Sequence, residues 1–367
     1  ALLPALPDIG ASLGVTNPND NQLLITMIFL CLGFGQLLFG PFSDSFGRKP
    51  TVFVGFVVFI VASIICVNTK SFEMMILGRM LQGVGLSSPR SLSISMIRDS
   101  YSGNYMAKII SIVVMFFLLI PVIAPTLGTF LLHFFNWESI FYFNLIFGIG
   151  IMFWFWQRQP ETLPKEKRIK FSSHIFIDGV KEFFKFNDAI AFTFVSGFIT
   201  GSFMVYLSTS QQIFEKQYDL AEMFPYIFAS LAISIGVATY LNSTFVIKFG
   251  MRRIAYVATI AYTAVSILYV ILFWTGTNPN IYVLVGFFAL QFFAVGFIFG
   301  NVRALAMDPL GHIAGIGAAI NGFISTVMAV PIAYYIGSFV KTSVLPLFIG
   351  FSIFGILSLL VFVVLKR

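Results

Sequence analysis

The stretch Gly40-Pro41-Phe42-Ser43-Asp44-Ser45-Phe46-Gly47-Arg48-Lys49-Pro50 places an acid one helical turn before a basic pair, between two apolar runs. Asp44 is an anion that can face the unpaired N–H groups at a helix start, where the macrodipole favours negative charge. Gly40 lets another helix approach closely. Gly47 permits a tight turn, and Arg48 and Lys49 fix orientation. Asp99, at the end of a later apolar run, offers Arg48 a second carboxylate. This is the chemistry of a charged contact that can form and part, and it needs no bond to be made or broken.

A second residue stands alone. Arg79 lies about seven residues into the apolar run 72–97, roughly 10 Å deep at 1.5 Å per residue. A guanidinium at that depth in a bilayer is costly and is commonly functional. The other reading is a structural hydrogen bond to carbonyls of a neighbouring helix. Arg90, nearer the end of the run, is placed to snorkel. His133, His174 and His312, and the acids Asp8, Glu138, Asp188 and Glu222, fall near run ends or in loops. Cys31 and Cys66 each sit inside an apolar run and read as packed hydrophobes. Without a His, Cys or acidic cluster in the spans, no enzyme is expected. No metal, nucleotide or cofactor motif appears, and the lack of a Walker-type loop argues against ATP-driven pumping.

The elements that must position these groups are membrane helices. The chain is 58% hydrophobic and only 10% charged, against about 25% charged in soluble domains. Runs near 21–42, 50–68, 72–97, 108–132, 137–157, 188–210, 222–247, 254–274, 280–305, 314–338 and 343–365 are each close to the ~20 apolar residues that span a bilayer. The net charge of +7 is dispersed over short loops. It therefore fits the positive-inside rule rather than a nucleic-acid face.

The loop Ser45-Phe46-Gly47-Arg48-Lys49 recurs loosely as Lys248-Phe249-Gly250-Met251-Arg252-Arg253, an offset of 203 residues. That offset puts Ala1 opposite Met204, midway through the seventh span. A truncated first span and twelve spans in the whole protein are therefore expected; a cleaved signal peptide would break the repeat. Parallel six-span repeats are one architecture of secondary transporters. The expected organisation is an all-α integral membrane protein. A first helical bundle covers 1–157, a linker 158–187, and a second bundle 188–367. Arg48, Lys49, Arg98, Lys108, the linker bases, Lys248, Arg252, Arg253, Lys366 and Arg367 fall on one side, and Lys70, Lys216 and Lys341 on the other. Both termini are thus expected in the cytoplasm. In the linker, Phe176, Val180, Phe183 and Phe184 alternate with charges at helical spacing, which predicts an amphipathic surface helix.

These residues resemble the major facilitator superfamily, and more closely its twelve-span drug/proton antiporters of the Bcr/CflA type. The 40–50 loop matches the signature between spans 2 and 3. Arg79-Met80-Leu81-Gln82-Gly83 matches the group's R-x-x-Q-G, and Arg98-Asp99 closes that span as in the group. Ala124-Pro125-Thr126-Leu127-Gly128-Thr129 resembles the antiporter motif G-P-x-x-G-G, with Ala124 and Thr129 in place of glycines. Leu2-Leu3-Pro4-Ala5-Leu6-Pro7 resembles part of span 1. In the second half the loop signature has decayed, with Ser243 and Ile247 where Gly and Asp would fall.

The resemblance implies the major facilitator fold of two six-helix bundles in the inner (cytoplasmic) membrane. It implies a proton-coupled exporter of small apolar or amphiphilic compounds, of the multidrug efflux type, working by alternating access. Its partners would be the small-molecule substrate, protons and lipid, with the protein a monomer. Arg79 would serve proton coupling, the titratable acid lying upstream of Ala1. Spans 1, 4, 7 and 10 would line the cavity, making Gln82, Phe198, Tyr206 and Gln291 candidates, with Gln36 and Tyr226 from neighbouring spans. Asp44 is expected to dock near Gly311-His312-Ile313-Ala314 at the start of span 11, with Arg48 bridging it to Asp99. Such partly exposed contacts are worth about 0.3–2 kcal/mol each. The alternative is that Asp44 only shapes the loop. The rival functions are a carrier of one metabolite, such as a siderophore or sugar, and a receptor or scaffold that transports nothing.

Overall fold

The computed structural model describes residues 2, 5–15, 21, 23–171, 174–220 and 222–365. Leu3, Pro4, Lys366 and Arg367, named above, lie outside the described residues. So do the side chains of Pro7, Pro125, Thr126, Thr129 and Phe176. The described residues form helices: α1 (Leu6–Ser12), α2 (Leu23–Phe46), α3 (Arg48–Asn68), α4 (Phe72–Ser100), α5 (Gly103–Phe134), α6 (Glu138–Arg158), α7 (Ile175–Phe183), α8 (Asn187–Gln211), α9 (Phe224–Phe249), α10 (Met251–Leu272), α11 (Ile281–Met307), α12 (Ala314–Phe339) and α13 (Leu345–Val364). Eight described segments are long and apolar enough to cross a bilayer, one of them a continuous stretch holding α11 and α12. The second half of α4 is more polar, with Ser87, Ser88, Ser91 and Ser95 all buried.

Two compact units form. One comprises residues 1–100, 123–182 and 311–323; the other comprises 101–122, 183–310 and 324–367. Each unit therefore takes the start of one helix from the opposite half of the sequence: α12 in the first unit, α5 in the second.

Lipid tails are as apolar as leucine, so helices in a membrane associate through close packing and hydrogen bonds rather than hydrophobic exclusion. The first unit follows that rule. A Cβ on Gly85 of α4 would lie 2.6 Å from the Phe59 nitrogen of α3. Ser88 Oγ donates to the Thr51 carbonyl at 2.9 Å across the same crossing. At one end, α1 buries Ile9 with Leu24, Cys66, Met75 and Phe141. The second unit packs instead on aromatic rings. Tyr269 of α10 and Phe348 of α13 stack with centroids 3.8 Å apart, and Phe288 of α11 joins them.

The apolar runs place the helices well but misjudge their ends. The loop expected around 40–50 is almost absent. α2 continues through Phe46, and Gly47 alone separates it from α3, with φ 104° and ψ 158°. That backbone region is open essentially to glycine only. The linker helix is α7, a little over two turns long, with Phe183 buried and Asp178, Lys181 and Phe184 outward.

Candidate functional site

Because α2 runs to Phe46, Asp44 projects from its last turn, and because α3 starts at Arg48, the two side chains meet across the Gly47 break. Arg48 Nη1 donates to Asp44 Oδ1 and, at 2.7 Å, to Ser43 Oγ. Its other edge grips Asp99 at the end of α4, with Nε to Oδ2 at 2.8 Å and Nη2 to Oδ1 at 3.4 Å. The planar fork of arginine suits this two-sided arrangement, and a lysine could not reproduce it.

The second face of Asp44 meets α12. Oδ1 accepts the Gly315 N–H at 3.0 Å, and Oδ2 accepts the Ile316 N–H at 2.8 Å. These are first-turn groups with no partner inside the helix. The dock falls slightly beyond the expected Gly311–Ala314 stretch, because a 3₁₀ turn fills Asp308–Ile313 and α12 begins only at Ala314. Close approach makes the contact possible. A Cβ on Gly40 would sit 2.8 Å from the Gly315 carbonyl oxygen, and one on Gly315 would lie 2.6 Å from Asp44 Oδ1. Ser95 of α4 adds a 3.1 Å hydrogen bond to the Ala314 carbonyl.

The clasp is more deeply buried than its loop position suggested. Asp44 is 3% exposed and Arg48 1%. Its outer wall is the segment after α6. Glu161 caps the start of α3, accepting the Arg48 N–H at 3.0 Å and the Lys49 N–H at 3.2 Å. Thr162 Oγ donates to Asp99 at 3.2 Å, and the Ile169 N–H donates to the Asp44 carbonyl at 3.0 Å. Lys49 stays outside the ion pairs, its ammonium 4.9 Å from the Trp156 ring centre. Removing one member of a buried pair costs about 3–5 kcal/mol, above the range for partly exposed contacts.

Arg79 is buried in α4. Its Nε donates to the Leu24 carbonyl at 2.9 Å and its Nη1 to Gln82 Oε1 at 2.7 Å. Gln82 continues the chain to Ser63 Oγ at 2.9 Å. Among the described residues no carboxylate touches Arg79, so its charge is held by neutral dipoles.

The remaining candidates are dispersed. Gln36 is buried in α2 and lies against Gly322, where a Cβ would meet its Oε1. In the second unit, Gln291 donates to Ser266 Oγ at 2.7 Å. Tyr206 is buried among Phe228, Phe288 and Phe292. Phe198 stacks on Phe354. Tyr226 is 73% exposed near the start of α9 and joins none of them. Ala124 is half-buried and Gly128 buried within α5.

Sequence reading missed Glu161, Thr162 and a neutral network in the second unit. There Asn242 of α9 donates to Ser111 Oγ of α5 at 2.7 Å, and Asn301 of α11 donates to Asn242 Oδ1 at 2.7 Å. The repeat offset could have found it, since it carries Ser111 onto Ala314 beside the Asp44 dock.

A polytopic bundle of apolar helices, with a buried acid–arginine–acid cluster holding the start of another helix, defines a multi-span membrane protein with a charged joint between helices. Residues 1–333 match the Major Facilitator Superfamily, and the chain belongs to it. It is similar to the bicyclomycin resistance protein homolog of Haemophilus influenzae, 30% identical over 69% of this chain and 64% of that protein. Multidrug resistance protein D of Escherichia coli is also 30% identical, over 44% of this chain and 41% of that protein. The chain thus covers less than two thirds of each of these relatives. Among solved structures, the proton:xylose symporter XylE matches with a TM-score of 0.76 at 14% identity, over 100% of this chain and 90% of that one; this likeness is one of fold.

Proposed function

We propose that this protein is a secondary active exporter that exchanges protons for small apolar or amphiphilic compounds by alternating access. The observation that carries the reading is the clasp. Asp44 and Arg48 hold the start of α12, a helix from the second half of the sequence, through contacts that a change in charge can break. A transporter that alternates needs such a bistable joint. The resistance-protein relatives supply the substrate class. In this reading both termini and the linker lie in the cytoplasm, where the basic loops cluster, and the clasp closes the cytoplasmic side.

Arg79 takes the coupling role. Among the described residues Arg79 is held by a carbonyl and an amide, and a buried cation so placed is poised to respond to a nearby proton-binding group. One proton crossing 100 mV supplies about 2.3 kcal/mol. The test is uptake of antibiotics and dyes by inverted vesicles with and without a pH gradient. Gradient-dependent uptake of several chemically unrelated compounds is expected. It should be lost in both Arg79→Lys and Arg79→Ala while the protein still inserts. Uptake of one polar metabolite alone would point to a dedicated carrier, and normal coupled uptake by Arg79→Ala would reduce Arg79 to packing.

A further inference from the structure

On the outer surface of the second unit, α9, α10 and α11 enclose an apolar groove of about 400 Å3. That is within the roughly 300–1,000 Å3 of small-ligand sites. Its floor is α10, where Ala258 and Ala261 leave space, and its walls are Phe245 of α9 and Phe293 and Phe297 of α11. The rings are ordered against one another: Phe245 and Phe297 stack at 6.4 Å, and Phe293 and Phe297 meet edge-on at 5.4 Å. Every lining side chain is apolar except Arg253, which sits at one end.

Arg253 differs from its neighbours. Arg252 is engaged by the Leu365 carbonyl at 2.8 Å and by Asp188 at 3.8 Å. Lys248 lies over the Phe249 ring at 5.3 Å. Arg253 is exposed and has no ion pair or hydrogen bond among the described residues. The groove runs along α10 from residue 253 to residue 265, roughly 18 Å at 1.5 Å per residue. One leaflet of hydrocarbon is about 15 Å deep. The slot is therefore one acyl chain long, with an exposed guanidinium at its headgroup end.

We propose that this groove is a binding site for one anionic phospholipid, its acyl chain lying on Ala258 and Ala261 between the phenylalanines and its phosphate on Arg253. Shape selects the chain and charge selects the headgroup. A zwitterionic lipid carries its own cation next to the phosphate and gains less from Arg253. Arginine also matches phosphate in its two-pronged geometry. The site is separate from the clasp and does not depend on the direction of transport. Under the proposed topology it faces the inner leaflet.

Native mass spectrometry of the detergent-purified protein, titrated with phosphatidylglycerol or phosphatidylethanolamine of the same chain length, tests this. One phosphatidylglycerol should be retained in preference, by about fivefold for one basic contact at the membrane surface. Arg253→Gln should erase the preference and Arg253→Lys should keep most of it. Both change an exposed side chain and leave folding untouched. Ala261→Trp, which fills the floor at an exposed position, should abolish the retained lipid. Glycerol phosphate in excess should not displace it. Equal retention of the two lipids by the wild type would overturn the proposal. So would an unchanged preference in Arg253→Gln, unchanged retention in Ala261→Trp, or displacement by glycerol phosphate, which would mark a simple phosphate site.

Discussion

Gly47 divides α2 from α3 and Gly250 divides α9 from α10, 203 residues apart, with φ of 104° and 83° and ψ of 158° and 144°. In both places a side-chain oxygen caps the new helix: Glu161 on the Arg48 N–H, and Asn104 on the Met251 N–H at 2.9 Å. In both, a helix start borrowed from the other half of the sequence is held. The chemistry differs. The first joint uses Asp44, Arg48 and Asp99; the repeat places Ile247, Met251 and Val302 at the matching positions. The buried part of the second joint is neutral, with Asn242, Ser111 and Asn301 making its hydrogen bonds; its carboxylate, Asp308, is exposed and accepts the Gly103 N–H at the start of α5 at 3.4 Å. The backbone device is thus kept twice, while among the described residues the buried acid–arginine–acid cluster is found at the first joint alone. A charged joint can be switched by protonation or by a competing charge, whereas a neutral joint is mainly structural.

The comparison breaks most sharply at Arg48. Arg48→Met installs the second joint's residue but leaves Asp44 and Asp99 buried without their cation, at a cost of about 3–5 kcal/mol. A lower melting temperature in detergent and lost transport are expected. The triple variant Asp44→Ile, Arg48→Met, Asp99→Val neutralises the whole joint. Replacing a complete buried ion cluster by apolar residues is often neutral or stabilising by about 1–4 kcal/mol. It should therefore regain stability relative to Arg48→Met, stay below the wild type by what the uncapped Gly315 and Ile316 N–H groups cost, about 1–3 kcal/mol each, and still transport slowly. Wild-type transport rates in the triple variant would mean that the charges only shape the turn.

The two glycines offer a subtler contrast. Gly47→Ala meets Glu161 Oε2 at 2.5 Å, while the nearest atom to a Cβ on Gly250 is 3.8 Å away. Both variants carry backbone strain of about 1–3 kcal/mol, and Gly47→Ala adds the clash. Melting temperatures should rank wild type, then Gly250→Ala, then Gly47→Ala. The reverse order would mean that the segment around Glu161 yields freely. Smallest is the cap itself. Glu161→Ala and Asn104→Ala should each cost about 1 kcal/mol, as capping residues do. Glu161→Ala should in addition speed proteolysis of the linker.

How much of this was legible follows from what each feature looks like in sequence. Spans of apolar residues are long signals, so α2 to α6 and α8 to α13 could be placed to within a few residues, while α7 showed itself by its amphipathic spacing. Asp44, Arg48 and Asp99 were legible because charge is rare in such a chain. Glu161 was not, since it stands in a linker whose bases dominate the pattern and its partners are backbone N–H groups. The neutral joint stayed hidden for the same reason: Ser111, Asn242 and Asn301 look like ordinary polar residues in apolar runs. The depth of the clasp was also invisible, because it depends on a segment more than a hundred residues away folding over the Gly47 turn.

The central claim is that Asp44 holds the start of α12 and releases it. Spin labels at Phe46, at the end of α2, and His312, just before α12, read that contact as a distance. Asp44→Asn removes the anion from the Gly315 and Ile316 N–H groups and weakens the Arg48 pair. We predict that the distance distribution gains a longer component in Asp44→Asn, while the same pair of labels in Asn242→Ala, which disturbs only the neutral joint, reports the wild-type distribution. An unchanged distribution in Asp44→Asn would contradict the account.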